Sequence, residues 1–171
     1  QAPNRSLSNA GRKTETPWPN SGEIDIAEGL AGDSHSQGTL HGNYSTCSAS
    51  CTDWFGGAGI TAYAPGTNLS ESFHTYGILW KPNEISFTFD GKVFARNVWS
   101  PSNGGEIVQY VNNLERAYLS NAAWPFNEPF FMIVQNTIPA RTIGANGTTS
   151  TMLIDWIRYS KFEGYGTVSK I

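Results

Sequence analysis

The sequence predicts an all-β fold, an antiparallel β-sandwich of the jelly-roll, concanavalin-like type with a curved cleft. The 171 residues include 18 Gly and 9 Pro, which divide the chain into short segments. Aromatic residues make up 13% of the chain and charged residues only 15%. Short apolar runs with turn-forming residues between them are typical of antiparallel strands, and the length suits one domain over residues 1–171.

Each element is predicted from its own run of residues. Residues before 21 form a loop, and residues 47–59 form another. The predicted strands are 23–28, 38–44, 73–81, 85–89, 92–98, 130–135 and 152–159. Asp90-Gly91 is a dipeptide typical of a hairpin turn. Ile107, Val111, Leu114 and Tyr118 recur at helical spacing, so we expect one short helix between Glu106 and Leu119.

Three carboxylates lie in the first predicted strand, at Glu23, Asp25 and Glu28. Because side chains alternate across a strand, a regular strand would turn Glu28 toward the isoleucine face, where an unpaired charge is costly to bury. A β-bulge near residues 26–27 would shift the phase and return Glu28 to the face of Glu23 and Asp25. The sequence therefore predicts a bulged strand with three carboxylates on one face.

A bulged strand makes a separation of about 5–5.5 Å between the Glu23 and Glu28 carboxyl groups feasible, which suits a retaining glycosidase. Carboxylates this close titrate as a group, and like-charge repulsion should keep one proton on Glu28. The alternatives are a strand whose acidic side chains are merely solvated and a strand that holds a cation.

Residues 18–28, Trp-Pro-Asn-Ser-Gly-Glu-Ile-Asp-Ile-Ala-Glu, resemble the active-site strand of glycoside hydrolase family 16, in its bulged, laminarinase-like branch. Further blocks resemble the family in the same order, at residues 38–41, 73–80, 85–91, 124–131 and 152–159. The resemblance implies that Glu23 is the nucleophile and Glu28 the general acid/base. Asp25 would hydrogen-bond Glu23 and bias the shared protons, or make a structural hydrogen bond only.

The resemblance also implies residues that contact the substrate. His74 is expected to face the cleft beside the carboxylates, and His41 lies on the neighbouring strand. Trp124 would line the glycone side of the cleft, and Trp18 is a second candidate for stacking on sugar rings. Packing in the core is the alternative for each tryptophan, and a structural histidine is the alternative for His74.

No cofactor is required by this chemistry, but Asp155 matches a family aspartate that helps to hold a structural calcium. Calcium needs six or more oxygen ligands, and the family's other ligands come from an N-terminal region that this chain lacks. Only about twenty residues precede Glu23, fewer than the family's initial strands need. We therefore expect the chain to be N-terminally incomplete and to act as a monomer within a longer polypeptide.

Cys47 and Cys51 are close enough for a small disulfide, with a metal site that includes His41 as the alternative. A disulfide favours secretion. The net charge of −3 without a basic cluster argues against a nucleic-acid partner, and no apolar run reaches membrane-spanning length.

Together these features predict an endo-acting β-glucanase that cleaves β-1,3 or mixed β-1,3/1,4 glucan with retention. The alternatives are a hydrolase of a galactan such as agar or carrageenan, a glucan-binding protein without activity, and an inactive fragment.

Overall fold

The computed structural model describes residues 18–29, 36–42, 44–47, 51–54, 57–64, 69, 71–136, 151–161, 164 and 166. The side chains of residues 44–47, 51–54, 57–59 and 117 are outside this description. The chain divides into two compact units, residues 1–131 and residues 132–171. Among the described residues, no helix has the length and apolar character needed to cross a membrane.

The first unit is built from two antiparallel sheets, which confirms the predicted β-sandwich. The four-stranded sheet has the order β1 (Glu23–Glu28), β2 (Gln37–Gly42), β5 (Gly57–Tyr63) and β4 (Cys51–Trp54). The six-stranded sheet has the order β3 (Tyr44–Cys47), β10 (Leu114–Ala122), β9 (Glu106–Val111), β8 (Lys92–Ser100), β7 (Glu84–Phe89) and β6 (Tyr76–Lys81). Residues 47–59, predicted as one loop, thus include β4 and the start of β5, so that prediction was wrong.

The core joins apolar side chains from both sheets. Leu40 and Ala62 come from the four-stranded sheet, and Ile85 and Phe87 come from the six-stranded sheet. Phe126, fully buried, belongs to a 3₁₀ turn at Pro125–Asn127. Burying such side chains, at about 1.5–3 kcal/mol each, gives β1 and β2 a fixed support behind their outer face.

The predicted helix between Glu106 and Leu119 was wrong, because this segment is the β9–β10 hairpin. Asn112 and Asn113 have φ angles of 50° and 64°, a left-handed pair that suits a two-residue hairpin turn. Gln109 is buried within β9 and donates to Asn97, 3.0 Å away. A polar residue on the inner face hides the alternation by which a strand is recognised in sequence.

The two strands predicted at 130–135 and 152–159 are also corrected. The described residues 129–136 and 151–161 are in no strand, although both segments carry large apolar side chains, many of them exposed. Apolar and β-branched residues favour extended backbone, but a strand is established only when its N–H and C=O groups pair with a neighbour. The single domain over 1–171 remains a prediction.

Candidate active site

The pairing of β1 with β2 places the three carboxylates on one face. Glu23 lies opposite His41 and Asp25 lies opposite Thr39 in a regular antiparallel register. The register then shifts, so that Glu28 lies opposite Gln37. Three steps on β1 thus match two on β2, which confirms the predicted bulge.

Each carboxylate has a hydrogen-bond partner of its own. Trp18 donates its indole Nε1–H to Glu23 Oε2 at 2.5 Å. His41 Nε2 is 3.0 Å from Asp25 Oδ2, and both side chains are largely buried. Gln37 Nε2 donates to Glu28 Oε2 at 3.1 Å. These contacts restrict the rotamers of all three acids, as pre-organised chemistry requires.

Burial is the main reason that the two glutamates hold protons more tightly than usual. Burial, followed by the charge of Asp25, raises the pKa of Glu23 to about 7, against the opposing effects of His41 and Trp18. Burial and then Asp25 also raise the pKa of Glu28, although Glu28 is the more exposed glutamate. The expected like-charge repulsion thus contributes to the raised pKa of Glu28, but it ranks second to burial.

His41 supplies the opposite charge to this cluster. Burial alone would lower the pKa of His41, but its hydrogen bond to Asp25 and the charges of Asp25, Glu23 and Glu28 outweigh burial and raise that pKa. Its Nδ1 is a buried atom with no hydrogen-bond partner among the described residues. The ring is therefore held through Nε2, between Asp25 and the indole of Trp18, whose centroid is 5.7 Å away.

The two tryptophans predicted to stack on sugars have different surroundings. Trp18 lies beside the carboxylates through its bond to Glu23. Trp124 donates to Asn127 Oδ1 at 3.2 Å and meets Phe126 edge to face, 4.8 Å between centroids. Because Trp124 also packs against the core, packing within the protein accounts for much of its ring.

His74 has other partners than the β1 carboxylates. Its Nδ1 lies 2.9 Å from Asp90 Oδ2 and its Nε2 lies 3.1 Å from Ser72 Oγ. The ring stacks on Phe89, 5.0 Å between centroids. The contact with Asp90 therefore ties His74 to the β7–β8 turn.

One group of side chains near the carboxylates has the donor types of a metal site. Donor atoms of Asp25, Glu28 and His41 lie within 4.8 Å of one another, the one such group among the described residues. Two carboxylates and one nitrogen do not match the six or more oxygens of calcium. Asp155 lies in the second unit and is exposed, and its role in calcium binding stays a prediction. The side chains of Cys47 and Cys51 lie outside the description, so the disulfide also stays a prediction.

Two residues of this face were missed by the sequence analysis. Thr39 lies opposite Asp25, and its hydroxyl is 3.1 Å from that of Thr61 on β5. Gln37 lies opposite Glu28. The signal was present in the sequence, because Gln37, Thr39 and His41 alternate with the buried Gly38 and Leu40.

Comparison with known proteins agrees with this geometry. The family model described as glycosyl hydrolases family 16 matches residues 8–158. The chain belongs to this family.

Curated relatives extend the comparison. A glucan endo-1,3-beta-glucosidase A1 of Niallia circulans is 28% identical over 157 residues, covering 84% of this chain and 20% of the relative. A keratan-sulfate endo-1,4-beta-galactosidase of Sphingobacterium multivorum is 26% identical, covering 84% and 29%. A glucan endo-1,3-beta-glucosidase of Cryptopygus antarcticus is 28% identical, covering 74% and 41%. The family 16 chain thus spans between a fifth and two fifths of these relatives' lengths.

Proposed function

We propose that this family 16 chain carries the catalytic centre of an endo-acting β-glucanase that cleaves β-1,3 or mixed β-1,3/1,4 glucan with retention. One observation carries the proposal. The bulge in β1 brings Glu23, Asp25 and Glu28 to one face, where each is held by a separate donor group. Two positioned glutamates are what a double displacement at a sugar carbon needs.

In the first step, Glu23 attacks the anomeric carbon while Glu28 gives its proton to the leaving glycosidic oxygen. In the second step, Glu28 takes a proton from water, which then releases the sugar from Glu23. The Trp18 N–H holds one oxygen of Glu23, so the other oxygen is available for attack. Asp25 lies between the two glutamates in the strand and raises the pKa of both.

Glu23 must be ionised in order to attack, and two groups favour that form. The charge of His41 and the hydrogen bond from Trp18 both lower the pKa of Glu23 against the larger effect of burial. Because the net result is a raised pKa, we expect the acid limb of kcat/KM to lie above the range of an ordinary glutamate.

The glucan substrate is supported by the two relatives named as glucan endo-1,3-beta-glucosidases. A galactan is the second candidate, favoured by the similarity to a keratan-sulfate endo-1,4-beta-galactosidase. A polysaccharide of either kind would be met outside the cell, and we propose secretion and action as a monomer within a longer polypeptide.

The test is a parallel assay of the full-length protein on laminarin, barley glucan, agarose and keratan sulfate, followed by proton NMR of the earliest products. We expect cleavage of laminarin or barley glucan, with the β-anomer formed first. Cleavage of agarose or keratan sulfate alone would replace the glucan with a galactan. An initial α-anomer, or glucan binding without cleavage, would contradict the mechanism.

A further inference from the structure

The side chain of Gln37 has a place in the site that its position in the sequence does not explain. Continuing the regular β1–β2 register would bring Ser36 opposite Glu28, whereas the bulge brings Gln37 there. Gln37 Nε2 then donates to Glu28 Oε2 at 3.1 Å. The same irregularity that turns Glu28 toward the other acids therefore supplies its hydrogen-bond donor.

Several groups besides Gln37 act on the ionisation of Glu28, some against it and some with it. Asp25 on β1 raises the pKa of Glu28, as burial does, while His41 and Thr39 on β2 lower it. Glu23 belongs to the same set, because its own pKa is raised by Glu28.

Gln37 is a neutral amide that meets one oxygen of Glu28 directly, across a single pair of residues. A carboxylate that accepts an N–H bond is stabilised in its ionised form, without any added charge that would alter the neighbouring acids.

We propose that Gln37 is a positioning residue for the acid/base glutamate. Its amide holds Glu28 Oε2 and favours the ionised carboxylate, and it leaves Oε1 to exchange the proton with the glycosidic oxygen. This inference rests on the proposed function for the role of Glu28, while the hydrogen bond and its effect on ionisation can be tested without turnover.

The first experiment is a carboxyl ¹³C NMR titration of the full chain with labelled glutamate. The Glu28 signal is assigned by its loss in Glu28→Gln. Gln37→Met has similar length but no donor, so the titration midpoint of Glu28 should move to higher pH. Gln135→Met makes the same chemical change outside β1 and β2, and the Glu28 midpoint should not move.

An unchanged or lowered Glu28 midpoint in Gln37→Met would overturn the proposal. If this variant does not fold, Gln37→Asn serves instead, because it keeps the amide but shortens its reach by one methylene. The same upward move is expected, and the same absence of movement would contradict it.

The second experiment uses kinetics. With laminarin, the alkaline limb of kcat/KM should move to higher pH in Gln37→Met, because that limb reports the acid of the free enzyme. An aryl β-glucoside whose leaving group needs no proton should show no alkaline limb from Glu28, so Gln37→Met should leave its pH profile on the alkaline side unchanged. A loss of kcat/KM by one factor at every pH, with no movement of the limb, would indicate a structural role only and would refute the proposal.

The two experiments separate the two ideas. A raised Glu28 midpoint in a protein that cleaves no polysaccharide would refute the proposed function and leave the role of Gln37 in ionisation intact. Retaining cleavage with an unmoved midpoint would have the opposite meaning.

Discussion

Two histidine–aspartate pairs in this molecule have almost the same length. His41 Nε2 lies 3.0 Å from Asp25 Oδ2, and His74 Nδ1 lies 2.9 Å from Asp90 Oδ2. In the first pair both side chains are largely buried, at 17% and 16% exposed, whereas Asp90 is 47% exposed. The first pair also lies beside two glutamates of raised pKa, while the second closes a hairpin turn.

The difference shows that surroundings, rather than contact length, decide what such a pair can do. Beside His41, burial and the charge of Asp25 raise the pKa of Glu23. The neighbouring acids in turn raise the pKa of His41 against the effect of burial. Around Asp90, the backbone N–H of Thr75 and then the His74 ring lower the pKa of the aspartate. The first pair thus lies beside two glutamates of raised pKa, and the second fixes a turn.

The largest expected effect tests whether the chemistry lies at Glu23, beside the His41–Asp25 pair. Glu23→Gln should reduce glucan hydrolysis by about 10⁴-fold or more, with glucan binding largely kept, because the attacking carboxylate is lost. The measurement is the rate of reducing-end formation together with a binding assay. Glu115→Gln, at an exposed position on β10, is the matched control. Near wild-type turnover in Glu23→Gln would remove the nucleophile assignment.

The next effect separates acid catalysis from general damage to the site. Glu28→Ala should lose roughly 10²–10⁴-fold in rate on laminarin but far less on an activated aryl glucoside, whose leaving group needs no proton. The ratio of the two rates is the measurement. Equal losses on both substrates would show that Glu28 is not the acid.

A direct comparison of the two histidines comes third. His41→Asn should lower kcat/KM by roughly 10-fold or more and move the pH profile, because His41 bears on the ionisation of Glu23 and Glu28. His74→Asn should mainly lower Tm, by about 2–4 °C for the loss of about 1 kcal/mol. Kinetics and thermal melts of both variants provide the test. Equal losses of activity would place His74 in the cleft, as its sequence context suggested.

A smaller effect concerns stability at the acid cluster. The folded pKa of Glu23 lies near 7, above its ordinary value of 4.5, so the folded state binds more protons between these values and loses stability as pH rises. Glu23→Gln should therefore raise Tm at pH 7.5 by roughly 2–4 °C, about 1 kcal/mol after partial solvent screening is allowed for. The gain should shrink at pH 5. A gain that does not vary with pH would mean that Glu23 ionises normally.

The smallest effect has the opposite sign, at the exposed pair. Because the folded pKa of Asp90 is lowered, its stabilisation is present at neutral pH and is lost as pH falls through the folded pKa. Asp90→Asn should lower Tm by no more than about 4 °C at pH 7, and by less in acid. The measurement is the Tm of both proteins at pH 7 and in acid. A larger loss of Tm in acid than at pH 7 would contradict the prediction.

The bulge could be predicted from sequence because only one strand phase avoids burying a charged Glu28. The cross-strand partner of Glu28 could not be predicted in the same way. The eight residues that join Glu28 to Gln37 leave several registers open, and side-chain periodicity on β2 alone does not choose among them. The sequence pattern thus places Gln37 on the same face of β2 as His41, but it does not show that Gln37 pairs with Glu28.

The false helix and the position of His74 have the same kind of origin. Gln109 can be buried because its side-chain amide donates a hydrogen bond to Asn97 on the neighbouring strand. Helical or strand spacing around Gln109 does not reveal that partner. His74 was expected to meet the carboxylates, but Asp90 in a distant turn binds it. In both cases a polar side chain is placed by a partner that local spacing does not reveal.

Gly38 lies on β2 between Gln37 and Thr39, and the ring of Phe87 fills the space beside it. A Cβ atom at position 38 would lie 2.7 Å from that ring, closer than side-chain atoms approach. A methyl group there would force β2 and Phe87 apart. Phe87 in the six-stranded sheet therefore limits how β2 can pack on the core, and with it the position from which Gln37 reaches Glu28.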